Sequence, residues 1–116
     1  MWNRIKKAIK ARLIKRWGSA SAKKILWDQE FASGQWDYLE RTNSDPIYAY
    51  LEKYSEGGSI LDLGCGGGNT SNELNYAKYE NYTGIDVSEV AIRKAEARSR
   101  ENQRGAKNKR WTACAK

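Results

Sequence analysis

Apolar positions along the chain fall into a few patterns, and each pattern predicts one kind of element. Between Trp2 and Trp17, the residues Trp2, Ile5, Ile9, Leu13 and Trp17 recur at the spacing of one helix face, an arc of about 120°, with Lys6 and Arg16 intruding on it. Farther on, Trp27, Phe31 and Trp36 stand at helix-like intervals in the stretch Trp27 to Leu39. A third helix is predicted where Ile47, Tyr50, Leu51 and Tyr54 follow the i, i+3, i+4, i+7 rule. It opens on Asp45 as cap and Pro46 as first helical residue, closes at Gly57-Gly58, and should bury that one apolar face. After this the period shortens. Ile60-Leu61-Asp62-Leu63 is a brief apolar run, and Tyr82 to Val87 is a second one that ends on a carboxylate. Ser88 can cap a helix through EVAIRKAEARSRENQ, where Val90, Ala91, Lys94, Ala95 and Arg98 lie within helical reach of one another. Gly105 breaks that helix, and Arg110 to Ala115 opens a third strand. The predicted class is α/β, with two or three parallel strands behind N-terminal helices. Boundaries are expected at 1–26 for the basic helix, 27–58 for the aromatic segment and flanking helix, and 59–116 for the sheet.

Chemistry concentrates in the turn between the first two strands. Glycines at Gly64, Gly66 and Gly68 leave bare backbone for a ligand to lie against, ahead of a helix start with free N–H groups. Asp86 follows Gly64 by 22 residues, close to the ~20-residue offset at which a carboxylate meets ribose hydroxyls in nucleotide-binding folds. A dinucleotide fingerprint would place its third glycine where Asn69 stands, so the turn departs from the nicotinamide and flavin pattern.

The stretch Asp62-Leu63-Gly64-Cys65-Gly66-Gly67-Gly68 resembles the first motif of the class I S-adenosylmethionine (SAM)-dependent methyltransferases, and Tyr82-Thr83-Gly84-Ile85-Asp86-Val87-Ser88 is similar to their second. An acidic residue beside the loop agrees with that cofactor, since it repels a pyrophosphate and attracts the ammonium and sulfonium charges of SAM. The resemblance implies a Rossmann-like fold and a SAM site. Asp62 would sit near the methionine end, or merely cap the loop. Gly64, Cys65, Gly66 and Gly68 would form the cradle. Asp86 would hold both ribose hydroxyls, or serve as a strand-end cap, and Val87 would lie against adenine, or be ordinary core. The stretch Trp27 to Leu39 resembles the lid that precedes the first motif in small-molecule methyltransferases; its aromatics are equally suited to be core anchors, and Arg41 beside it would meet the SAM carboxylate. Where relatives carry an aspartate toward the adenine amino group, this chain has Cys114, which is not the same acceptor.

Only 58 residues run from Ser59 to the end, against the seven strands of the family fold. The expectation is therefore an N-terminal portion that exposes Ile60, Leu61, Leu63 and Ile85, binds SAM weakly and transfers little methyl by itself. The acceptor implied is a small molecule or a saccharide- or lipid-linked precursor. An RNA methyltransferase fragment and a non-catalytic interaction module of the same fold remain as alternatives.

Charge alters the picture only at the N-terminus. The 116 residues carry 21 basic and 14 acidic side chains, and nine of the basic ones lie between Met1 and Trp27, where there is no acid. The net +7 is thus local. The amphipathic basic helix has three uses open to it: an anionic membrane surface contacted by residues 1–17, packing on the domain or a partner, or nucleic acid. No run approaches the ~20 apolar residues of a membrane span and no secretory signal is legible, so the chain is expected in the cytoplasm or peripheral at the inner membrane surface. Two cysteines and no histidine give neither a disulfide framework nor a recognisable metal site. Any general base must be a carboxylate, a tyrosine or a group outside the chain, and no catalytic residue is assigned.

Overall fold

The computed structural model describes residues 1–41, 46–74, 79–102 and 108–114, Arg41 through its backbone alone. Helix α1 runs Trp2–Trp17 and stops at Gly18, whose N–H donates to Ile14 O at 2.8 Å; a side chain at 18 would collide with that same carbonyl. Ser19 then restarts the chain as α2, Ala20–Ala32, its hydroxyl accepting from the Ala22 N–H at 3.2 Å. Because α2 continues through Trp27, the aromatic segment expected to open there begins inside a helix, with residues 27–32 in α2 and a turn after them. A short 3₁₀ turn, Asp37–Arg41, follows, and then α3, Ile47–Tyr54. Pro46 is the cap residue of α3, one position ahead of the place predicted for it, and Asp45 lies outside the described residues.

The sheet has three parallel strands, β1 (Ser59–Leu63), β2 (Asn81–Asp86) and β3 (Asn108–Ala113), in that spatial order. Leu63 is level with Ile85, and Ile85 with Thr112. Helix α4 (Asn69–Glu73) lies in the first crossover and α5 (Glu89–Glu101) in the second. The predicted break at Gly105 and the strand end at Ala115 fall outside the described residues.

Strand alternation sorts the sheet into two unlike faces. Tyr82, Gly84 and Asp86 point to the face covered by helices and are buried, as are Ala91, Ile92 and Ala95 of α5. There Leu74, Tyr79 and Tyr82 form the core, with Ile60, Trp111, Tyr48 and Leu51 packed around them. The Tyr82 and Trp111 ring centroids are 5.2 Å apart. The opposite face is open: Leu61 and Leu63 are 61% and 72% exposed. Of the four apolar residues expected to be bare, Ile60 and Ile85 are half-buried, because Ile60 alternates onto the covered side and Ile85 lies inside a cleft. On α3 the stripe expected to be buried is corrected. Ile47, Tyr50 and Tyr54 are exposed; of that stripe Leu51 alone packs against the core, together with Tyr48 from outside it. Helical periodicity groups residues by face but carries no information on which face meets the sheet.

Helix α1 packs on α2 by the side that carries Ala11, Ile14 and Lys15. Lys15 Nζ donates to Glu30 Oε2 at 3.0 Å, Trp36 Nε1 donates to the same oxygen at 3.0 Å, and the ammonium stands 4.5 Å from the Trp27 ring centre. That arrangement satisfies a carboxylate only 6% exposed. No helix among the described residues is long and apolar enough to cross a membrane.

Candidate functional site

Beyond the carboxyl end of β1 the chain must turn sharply without obstructing the space above the sheet. Gly64, Gly66 and Gly68 do this with φ of 78°, 53° and 80°, a region that side chains make costly. The turn is tied to the neighbouring strand, since the N–H groups of Gly64 and Cys65 both donate to Ile85 O, at 2.8 and 3.1 Å. A Cβ on Gly64 would meet nothing within 4 Å, so the loop presents bare backbone to open space. One on Gly66 would meet Phe31 Cζ at 3.4 Å, and the ring of α2 is thus laid over the loop at contact distance.

Asp86 fixes the loop from below. One carboxylate oxygen accepts from Gly66 N–H at 2.9 Å, and the other from Ser88 N–H at 2.9 Å. The side chain is 8% exposed and borders the cleft. Each oxygen keeps a second lone pair, so the cap function and a sugar-binding function are compatible in the same group. Asp62, from β1, also borders the cleft and accepts from Tyr82 Oη at 2.5 Å. Burial first, and then this hydrogen bond, hold the Tyr82 phenol far above its ordinary pKa, which keeps it a donor to Asp62.

These elements enclose a cleft of about 660 Å³, inside the range of small-ligand sites. Its floor is Asp62 to Gly67 with Asn69 and Thr70, its far side Ile85, Asp86, Val87 and Cys114, and its roof Trp27, Phe31, Trp36 and Leu39. Asp62, Gly64, Cys65, Gly66, Asp86 and Val87 are therefore brought together as expected. Gly68 stands behind the loop, where a Cβ would strike Ala95 Cβ and the Trp111 ring at 3.0 Å; its role is close packing of helix on strand. The Arg41 side chain lies outside the described residues.

Sequence reasoning missed the fastening of the roof. Asp28 of α2 accepts from Ser88 Oγ at 2.6 Å and from Lys24 Nζ at 2.9 Å, reaching the N-terminus of α5 from 60 positions away. Burial pushes the Asp28 carboxyl up, but the bonds from Ser88, Lys24 and Val90 N–H outweigh it and hold it below the ordinary range. Lys94 binds Phe31 O at 2.7 Å, and Arg98 binds Gly67 O at 2.8 Å. A basic residue on an exposed-looking helix gives no sign in sequence that it clamps a distant loop. Glu40 also faces the cleft and was not foreseen.

The two thiols differ in reactivity. Burial, reinforced by Asp86 and Asp62, pushes Cys65 up from 9.0 to about 12, whereas Cys114 is exposed. A folded-state pKa above the unfolded one adds stability below pH 9 that is lost as pH rises toward 12. Labelling with a chromogenic thiol reagent at pH 8 should modify the exposed Cys114 quickly and Cys65 far more slowly, because Cys65 is buried and held protonated. Equal rates would contradict the burial of Cys65.

Residues 54–110 match the sequence model of a family described as a methyltransferase domain. Among solved structures the chain is similar to a magnesium protoporphyrin IX methyltransferase from Synechocystis PCC 6803 with bound SAH, at a TM-score of 0.61 and 21% identity, over 80% of this chain and 51% of that one. It also resembles a structure reported for conversion of a disulfide bond into a thioacetal group during echinomycin biosynthesis, at a TM-score of 0.48, 31% identity, and 60% and 28% coverage. A third is the methyltransferase domain of bacterial-CtHen1-C, at 0.44, 24%, and 65% and 40%. The chain spans about half or less of the length of each of these structures. No curated protein matches it.

Proposed function

We propose that residues 54–110, which match the model of a methyltransferase domain, are part of a class I SAM-dependent methyltransferase, that the cleft above β1 and β2 binds SAM, and that the domain transfers its methyl group to a small molecule or a saccharide- or lipid-linked acceptor. The observation that supports this best is the pairing of an uncovered glycine backbone at Gly64 with carboxylates on both sides of it, Asp62 and Asp86. A cationic ligand fits such a donor set, and a pyrophosphate does not.

In this reading Asp86 accepts from the ribose hydroxyls, the loop from Gly64 to Gly66 lies under the ligand, Asp62 faces its ammonium end and Val87 its adenine. When bound, SAM supplies an electrophilic methyl carbon, so the protein needs no nucleophile of its own. What the chain adds is orientation and dryness. Trp27, Phe31 and Trp36 roof the cleft and exclude water that would solvate the sulfonium. Helix α2, which carries Trp27 and Phe31, is held there by the bond of Lys94 from α5 to Phe31 O and by that of Ser88 to Asp28. Cys65 stays protonated beside the carboxylates and does not compete as a methyl acceptor at neutral pH.

Calorimetry with SAM and with NAD⁺ tests the assignment. SAM is expected to bind weakly, with a Kd on the order of 100 μM, and NAD⁺ to give no heat. NAD⁺ binding as tight as SAM, or silence toward SAM at millimolar concentration, would contradict it.

A further inference from the structure

Helix α1 faces the wrong way for a helix that serves only to complete the core. Its contact with α2 is made by Ala11, Ile14 and Lys15, the half-buried residues of the helix, and no residue of α1 is fully buried. The apolar stripe lies on the opposite side. Trp2 is 68% exposed, Leu13 56% and Trp17 75%, and Ile5 and Ile9 between them are exposed as well. Five large apolar side chains in line, all facing solvent, form a surface that calls for a partner.

The charges along this stripe select among partners. Lys6 and Arg16 intrude on it from the two ends, and each is stacked on the terminal tryptophan: Lys6 Nζ is 5.4 Å from the Trp2 ring centre, and the Arg16 guanidinium 5.1 Å from that of Trp17. Lys10 and Arg12 flank it on either side. An apolar protein groove would have to desolvate these cations against nothing. A nucleic acid would satisfy them but leave the isoleucines and Leu13 in water. A bilayer carrying anionic headgroups meets both demands, with aliphatic side chains in the acyl boundary and tryptophan-cation pairs at headgroup level.

We infer that α1 lies in the plane of an anionic lipid surface, with Trp2, Ile5, Ile9, Leu13 and Trp17 inserted and Lys6, Lys10, Arg12 and Arg16 among the headgroups. The inference is independent of the cofactor assignment, because none of these residues borders the cleft under the roof. Since the opposite side of the helix holds α2, binding leaves the Lys15–Glu30–Trp36 contact in place.

Co-sedimentation of the full chain with vesicles decides the matter. Vesicles of phosphatidylcholine containing about one-third phosphatidylglycerol should bind at least tenfold more tightly than phosphatidylcholine alone. The variant carrying Ile5→Ser, Ile9→Ser and Leu13→Ser should keep its circular dichroism spectrum, since these side chains are exposed, and lose at least tenfold in partitioning. A second variant, Lys10→Glu with Arg12→Glu, should lose the preference for the anionic vesicles. Unchanged binding by the triple-serine variant, equal binding to neutral vesicles, or no vesicle binding would overturn the proposal. So would retention of single-stranded RNA that survives the serine substitutions and competes with the vesicles, or a dimer that those substitutions dissolve.

Discussion

Replacing Asp86 by alanine is expected to abolish measurable SAM binding. The carboxylate is assigned two hydroxyl hydrogen bonds to the ligand, and bonds to a charged group contribute about 1.5–3 kcal/mol each. Loss of both weakens affinity by at least about a hundredfold. The same side chain also accepts from the N–H groups of Gly66 and Ser88, so the alanine variant frees the loop that the ligand rests on. Asp86→Asn is the milder change, since it gives up one of the two backbone N–H bonds and keeps the other. It keeps one oxygen acceptor and should retain part of the affinity, about tenfold below the parent. Calorimetry on the three proteins, each verified as folded by circular dichroism, gives the comparison. If the alanine variant binds SAM as the parent does, Asp86 is only a cap and the ribose assignment fails.

Valine at position 84 is expected to have the largest effect on stability. Gly84 is buried in the central strand β2, and a Cβ there would stand 2.7 Å from two atoms of the Trp111 indole and 3.0 Å from Cys65 Sγ. Neither neighbour is a flexible chain end: the indole is packed against Tyr82, and Cys65 is held by the loop. Overpacking at such a site costs about 3 kcal/mol, a large share of the 5–15 kcal/mol typical of a whole domain. The melting temperature should fall by roughly 15 °C. Thr83→Val, one residue away on the open face, should change stability by no more than about 0.5 kcal/mol. Similar melting temperatures for the Gly84→Val variant and the parent would mean that Trp111 does not lie across β2 as described.

The contrast between these two neighbours shows what was legible in the sequence. The strand-turn-helix-strand order from Ile60 to Val87 could be read because every step is local: apolar runs end on glycines, and Asp86 follows at a fixed offset. The roof aromatics Trp27, Phe31 and Trp36 were also visible as a group. What could not be read is long-range pairing. Asp28 meets Ser88 across 60 residues, and Lys94 meets Phe31 across 63, with nothing in either segment to announce the other. The same limit applies to helix faces. For α1 and α3 the wheel shows the apolar stripes, yet the half-buried residues of α1 are Ala11, Ile14 and Lys15, and those that α3 sets against the core are Tyr48 and Leu51. A stripe becomes core only if another surface is there to cover it, and one face of this sheet is open at Leu61 and Leu63. The doubled duty of Asp86, loop clamp and ligand partner, likewise depends on the Gly66 N–H being aimed at it, which spacing alone does not show.

The most direct test of the central assignment is a SAM titration of the isotope-labelled chain followed by amide and indole NMR signals. The assignment predicts saturable shifts at Gly64, Cys65, Gly66, Asp86 and Val87, accompanied by the indole signals of Trp27 and Trp36, while residues of α1 from Trp2 to Leu13 stay unmoved. A glycine loop that does not respond while other parts of the chain do would contradict it.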